Sequence, residues 1–113
     1  MHELAIAEAI VELVAEHAAR DDFRQVRRIH LAIGALSHVD PRALEFGFAA
    51  VAGGTVAEGA TLVIDRPPGV ARCLACQVDV AIAAHGEPCP RCGGVELMAV
   101  GGAELRVVDL EVV

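Results

Sequence analysis

Residues 73–94 read CLACQVDVAIAAHGEPCPRCGG, and this stretch decides the fold. Cys73 and Cys76 stand two residues apart, as do Cys89 and Cys92, with twelve residues between the pairs. Two residues between thiols let both sulfurs of a tight turn reach one ion. Two such turns face to face supply the tetrahedral sulfur set that zinc takes in structural sites. Gly93-Gly94 follow the second pair, where glycine permits the positive φ of a knuckle and lets backbone N–H groups approach the sulfurs. The spacer is long enough for a small hairpin.

Few bulky apolar side chains lie between Cys73 and Cys92. Ordering such a segment costs on the order of 1–2 kcal/mol per residue for backbone alone. A structural zinc contributes roughly 10–16 kcal/mol in comparable peptides, so the insert is expected to fold around its ion. Iron in the same four thiolates satisfies the same pattern. A redox pair would need one CxxC at a helix N-terminus, and two disulfides would need an oxidising compartment. With all four positions filled by protein, the site reads as structural, with no open position for catalysis.

Upstream of the cysteines, Pro67-Pro68-Gly69 stop a strand predicted over residues 61–66. Asp40-Pro41 start a helix, with Asp as N-cap and Pro in the first turn; Leu44, Phe48 and Val51 form its apolar stripe, and Gly53-Gly54 end it. Residues 25–34 alternate as a strand, Ile29, Leu31 and Ile33 on one face and Arg28, His30 and Ala32 on the other. Residues 3–19 carry Leu4, Ala7, Val11, Val14 and Ala18 at helical spacing, flanked by Ile6, Ile10 and Leu13. Glu8, Glu12 and Glu16 line the opposite side as a solvated row, with Arg20 placed to pair with Glu16. Downstream, Gly101-Gly102 close the insert and residues 103–113 read as a last strand, with a change of register near Val107. The expected fold class is α+β: two helices on one face of a small three-stranded sheet, with an inserted zinc-ribbon-like subdomain. Residues 1–69 plus 101–113 form the α/β domain in this reading, and residues 70–100 the four-cysteine subdomain.

Composition narrows the function. The 113 residues are 55% hydrophobic but only 3% aromatic, with no Trp or Tyr, so the core must be built from Ala, Val, Leu and Ile. A net charge of −7 repels a phosphate backbone, and few π-faces exist for base stacking; nucleic acid is an unexpected partner. The apolar run from Leu4 to Val14 is interrupted by Glu8 and Glu12, no run reaches the length of a membrane span, and no basic leader precedes it. No membrane association is expected, and the chain is expected in the cytoplasm, where thiols bind metal more readily than they form disulfides.

The chain begins Met1-His2-Glu3-Leu4. The Met1 amine, the His2 amide nitrogen and the His2 imidazole can bind one ion in a plane, and the Glu3 amide could close the square. Planar nitrogen donors suit Ni(II) or Cu(II), and affinity order alone favours copper. Histidine is too large at position two for ready removal of the initiator, so Met1 is expected to keep its amine available.

Taken end to end, the sequence resembles the hydrogenase and urease nickel-incorporation proteins, the HypA/HybF family. Met1-His2-Glu3-Leu4 is similar to the family's opening motif. The stretch from Ile33 to Pro41 (IGALSHVDP), followed by Leu44-Glu45-Phe46-Gly47-Phe48, resembles its central signature. Gly59-Ala60, Pro68 to Cys73, Cys89 to Gly94, and Gly102-Ala103-Glu104-Leu105 also fit. The resemblance implies a nickel site at Met1, His2 and Glu3, and a zinc site at Cys73, Cys76, Cys89 and Cys92. It implies a nickel metallochaperone that delivers Ni(II) to the large subunit of a hydrogenase, with a HypB-like GTPase as partner; a homodimer stays open. Some family members carry a histidine directly after the second cysteine of each pair; here Gln77 and Gly93 stand there, which removes that route to ligand exchange at the zinc. His17, His30 and His38 read as surface histidines, and His85 as the best additional metal donor. No nucleophile–base pair or catalytic acid pair is evident, so no enzymatic activity is expected. The rival is a zinc-ribbon protein–protein adaptor without a second metal site.

Overall fold

The computed structural model describes residues His2–Val113; Met1, one of the expected nickel donors, lies outside the described residues. The element order is α1 (His2–Asp21), β1 (Val26–Ile33), α2 (Pro41–Val51), β2 (Thr61–Asp65), β3 (Gly69–Cys73), β4 (Val78–Ile82), β5 (Leu97–Gly101) and β6 (Leu105–Val112). Two three-stranded sheets form, ordered β2-β1-β6 and β4-β3-β5. The chain is α+β, as its pattern predicts, and the cysteine insert carries a sheet of its own where the sequence indicated only a hairpin.

The chain makes two compact units. The first takes the described residues up to Leu31, then Val39–Ile64 and Val107–Val113. In it α1 buries Ala7, Ile10, Val14 and Ala18. Helix α2 buries Leu44, Gly47 and Phe48, and β1 buries Val26, Ile29 and Leu31. The buried row of α1 runs through Ile10, not through Leu4 and Val11; Leu4 is 39% exposed and Val11 half-buried. Leu4 and Ala7 face Gly47 of α2, so Leu4 sits at the edge of the buried stripe. Glu8, Glu12 and Glu16 are exposed as expected, while the Arg20 guanidinium reaches the His17 ring at 2.9 Å. Asp40 caps α2 by accepting the Arg42 N–H at 3.0 Å. The helix closes at Ala52, whose N–H donates to Phe48 O, directly before Gly53-Gly54, where the sequence ends it.

The second unit takes Ala32–His38 and Asp65–Arg106. Strand β3 is central: Cys73 pairs with Val78 on β4 and with Leu97 on β5, both antiparallel. Its small core is Leu36, Ala71, Cys73, Val80, Ile82 and Cys89, so two of the six buried side chains are thiols. The 32–38 segment is tied in by its backbone. Gly34 N–H donates to Glu104 O, Ala35 N–H to Pro67 O and Leu36 N–H to Gly102 O, at 2.7–2.9 Å.

These chain segments cross so closely that glycine is required. A Cβ at Gly34 would stand 2.0 Å from Gly102 O, a backbone atom that no rotamer change can move. Gly34→Ala is expected to lower stability by at least about 3 kcal/mol. Guanidinium denaturation of the zinc-loaded protein would read this as a lower midpoint with little change of slope; an unchanged midpoint would contradict the packing.

Candidate metal centre

The four cysteines converge. Cys73 ends β3, Cys76 lies in the turn after it, and Cys89 and Cys92 flank the second turn. Their sulfurs all lie within 4.8 Å of one another. Cys73 Sγ and Cys92 Sγ are 3.7 Å apart, and Cys76 Sγ and Cys89 Sγ 4.0 Å. Sulfurs at the corners of a tetrahedron, each about 2.3 Å from zinc, stand about 3.8 Å apart. The donor set therefore fits a structural zinc in both chemistry and size.

The two turns are built alike. In each, an N–H two or three residues on points at a sulfur: Cys76 N to Cys73 Sγ, Arg91 N to Cys89 Sγ and Gly94 N to Cys92 Sγ, all at 3.4 Å. Gln77 N–H donates to Cys73 O, and Gly93 N–H to Cys89 O. The residue after each pair takes a positive φ, 57° at Gln77 and 74° at Gly93. Glycine adopts this at no cost, and glutamine with some strain. Taken as thiols, the four restrain one another. Cys76 is pushed up to about 12, first by its hydrogen bond with Cys92 and then by burial. Cys89 is drawn down to about 7, chiefly by the backbone N–H groups of Cys92 and Arg91. A divalent cation replaces these protons, so metal uptake releases them.

At the other expected site, His2 is the first residue of α1, its side chain half-exposed and its Nε2 3.4 Å from Glu3 Oε2. Glu3 Oε2 also accepts the Asp40 N–H at 3.2 Å. That bond, followed by one from its own backbone N–H, holds the Glu3 carboxyl below its ordinary 4.5. The tie to Asp40, the cap of α2, is a role for Glu3 that sequence reading did not show, because the two residues are far apart in the chain.

His30 lies on the more open face of β1, where its Nε2 is 2.6 Å from Glu111 Oε2 and 3.7 Å from Asp109 Oδ1. Arg28 Nη1 donates to Glu111 Oε1 at 2.8 Å. Glu111 is held below its ordinary 4.5, first by His30 and then by Arg28. A carboxyl whose folded value is depressed adds stability above its unfolded value, and that stability is lost as pH falls through the folded value. The gap in melting temperature between the protein and Glu111→Gln is thus expected to be open near neutrality and to close below pH 4.5. An unvarying gap would remove the ionic contribution. His17 sits 3.9 Å from Asp21. His38 and His85, far apart in sequence, stack with ring centroids 4.9 Å apart.

A small α+β chain with a closed four-sulfur cluster has the donor set of a metal-binding protein with a structural zinc site. The model of the family described as "Hydrogenase/urease nickel incorporation, metallochaperone, hypA" matches residues 1–112. Hydrogenase maturation factor HypA 2 of Bradyrhizobium diazoefficiens is 51% identical over 112 residues, 99% of each chain. Two solved structures share the fold. One is the solution structure of the Ni metallochaperone HypA from Helicobacter pylori, with TM-score 0.66 and 22% identity over 99% of this chain and 97% of that one. The other, a solution structure of HypA protein, has TM-score 0.71 and 23% identity over 100% of this chain and 97% of that one. The chain belongs to the HypA family of nickel metallochaperones for hydrogenase maturation. Among the described residues no helix is long and apolar enough to cross a membrane.

Proposed function

We propose that this chain carries Ni(II) at its N-terminus and hands it to the large subunit of a hydrogenase, with a HypB-like GTPase as partner, while zinc stays on Cys73, Cys76, Cys89 and Cys92. The nickel donors in this reading are the Met1 amine, the His2 amide and imidazole, and the Glu3 amide. The chain works in the cytoplasm, as a carrier and not an enzyme. No step calls for nucleic acid or a membrane, and whether it acts as a homodimer does not alter the chemistry.

The observation that supports this reading is that His2 and Glu3 lie in the first turn of α1. The first four N–H groups of a helix have no intrahelical acceptor. The His2 and Glu3 amides can therefore give up their protons to a metal without breaking a helical hydrogen bond. A cation alone would be disfavoured at a helix N-terminus. Two deprotonated amides and the nearby Glu3 carboxylate reverse that sign. A planar site at a chain end can also be emptied by ligand exchange without unfolding the domain.

The test is calorimetry of nickel binding on three zinc-loaded proteins: the native chain, His2→Ala and a chain extended before Met1. Nickel uptake should be strong only in the first, with zinc content equal in all three. Equal nickel binding by all three would favour the adaptor reading.

A further inference from the structure

We infer that His38 and His85 form a second, weaker binding site for a divalent ion of the imidazole-preferring class, represented by Ni(II), with water completing its shell. This site lies wholly within the cysteine unit, and the inference stands apart from the N-terminal one.

Three observations carry it. The first is proximity: the two rings lie 4.9 Å apart between centroids with planes only 14° from parallel. Both side chains are exposed, so an ion can reach them. Rotation of the His38 ring about its Cβ–Cγ bond can turn one of its nitrogens toward an ion at His85 without moving backbone.

The second is the orientation of His85. Its Nε2 lies 3.1 Å from Leu36 O. A carbonyl oxygen only accepts, so Nε2 carries the proton and Nδ1 is left with its lone pair. An imidazole that donates one N–H to a backbone carbonyl and offers the other nitrogen is the arrangement found at metal-ligating histidines, where the outer hydrogen bond fixes the tautomer and raises basicity.

The third is the backbone of His38. It stands at φ 63°, in the left-handed region that side chains other than glycine rarely adopt. Strained positions of this kind persist where the surrounding structure holds them, and they cluster at functional sites. Here the holding is visible. Leu36, two residues earlier, is buried in the core beside Cys73 and Cys89. Ser37 N–H bonds back to Gly34 O. His85 is fixed equally well, in a turn closed by Glu87 N–H to Ala84 O and by Glu87 Oε1 accepting the Ala83 N–H. Imidazole donors without sulfur suit first-row divalent ions such as nickel, copper and zinc.

The experiment uses zinc-loaded His2→Ala protein, which removes the N-terminal imidazole, titrated with Ni(II) and followed by calorimetry and by paramagnetic broadening of histidine ring signals. About one residual nickel per chain is expected, broadening His38 and His85 before His17 and His30. His85→Phe keeps a ring for the stack but no nitrogen. His38→Gly keeps the positive φ and relieves its strain. Each is expected to weaken the residual binding at least about tenfold. No residual nickel in the His2→Ala background, residual binding indifferent to both substitutions, or broadening centred on His17 or His30 would each overturn the inference. Failure of the N-terminal site would instead show as undiminished nickel affinity in His2→Ala itself, a separate reading from the loss caused by His85→Phe.

Discussion

Cys73→Ser is expected to lose its zinc and, with it, the whole of the β4-β3-β5 sheet. Cys73 is at once a member of the four-sulfur cluster, the last residue of the central strand and a fully buried member of the small core. That core has six members, two of which are thiols of the cluster, beside partly buried Cys76, Val78 and Leu97. It is too small to order its segment by burial alone. Metal binding of roughly 10–16 kcal/mol is shared with folding in such units, so removing one ligand removes most of what orders the sheet. Zinc content should fall from about one per chain to near zero, and amide signals from Gly69 to Gly101 should collapse toward disordered positions. Signals from α1, α2 and β1 up to Leu31, whose apolar core holds no thiol, should survive. A buried serine hydroxyl brings its own cost of about 1–3 kcal/mol. Removing zinc from the native chain with a chelator separates the two causes and should produce the same collapse. A sheet that stays ordered after chelation would show that the apolar contacts suffice.

The second large effect is expected at the opposite end of the chemistry. His2→Ala deletes the imidazole from the proposed four-nitrogen plane and should weaken nickel binding about a hundredfold or more. The fold should be untouched, since His2 is a half-exposed first-turn residue. Extending the chain before Met1 converts the amine donor to an amide and should act in the same direction. Because the amine and amides bind only after losing protons, native affinity should rise with pH. Glu3→Gln separates two roles of its neighbour. The amide side chain can still accept the Asp40 N–H seen at 3.2 Å, but it brings no charge to the ion. A nickel affinity that drops in Glu3→Gln with an unchanged melting temperature would assign Glu3 an electrostatic role.

How far the sequence revealed this differs from place to place, for physical reasons. The four-cysteine cluster was legible because its ligands come from two short local turns whose spacing is itself the geometry. Helix α2 was legible at its start, where Asp40-Pro41 is a chemical signal acting over one turn. Its end was legible too, since the cap at Ala52 runs directly into Gly53-Gly54. The buried stripe of α1 was legible at Ala7, Val14 and Ala18, opposite the exposed glutamates, but its edges were not, because Leu4, Ile10 and Val11 are all apolar and only Ile10 is buried. Strands β4 and β5 stayed hidden inside a segment read for its cysteines, since Val78 to Ile82 makes a strand only once paired with β3. The Glu3–Asp40 bond, the His30–Glu111 pair and the His38–His85 stack all join residues distant in the chain. No periodicity or local spacing encodes such meetings; they follow from tertiary packing alone.

The central claim is a separation of two metals by donor type, and X-ray absorption at the nickel and zinc edges of one doubly loaded sample tests it most directly. The zinc edge should report four sulfurs at about 2.3 Å. The nickel edge should report only nitrogen and oxygen neighbours, in a planar shell that disappears in His2→Ala. Sulfur in the nickel shell, or nitrogen replacing sulfur at zinc, would contradict it.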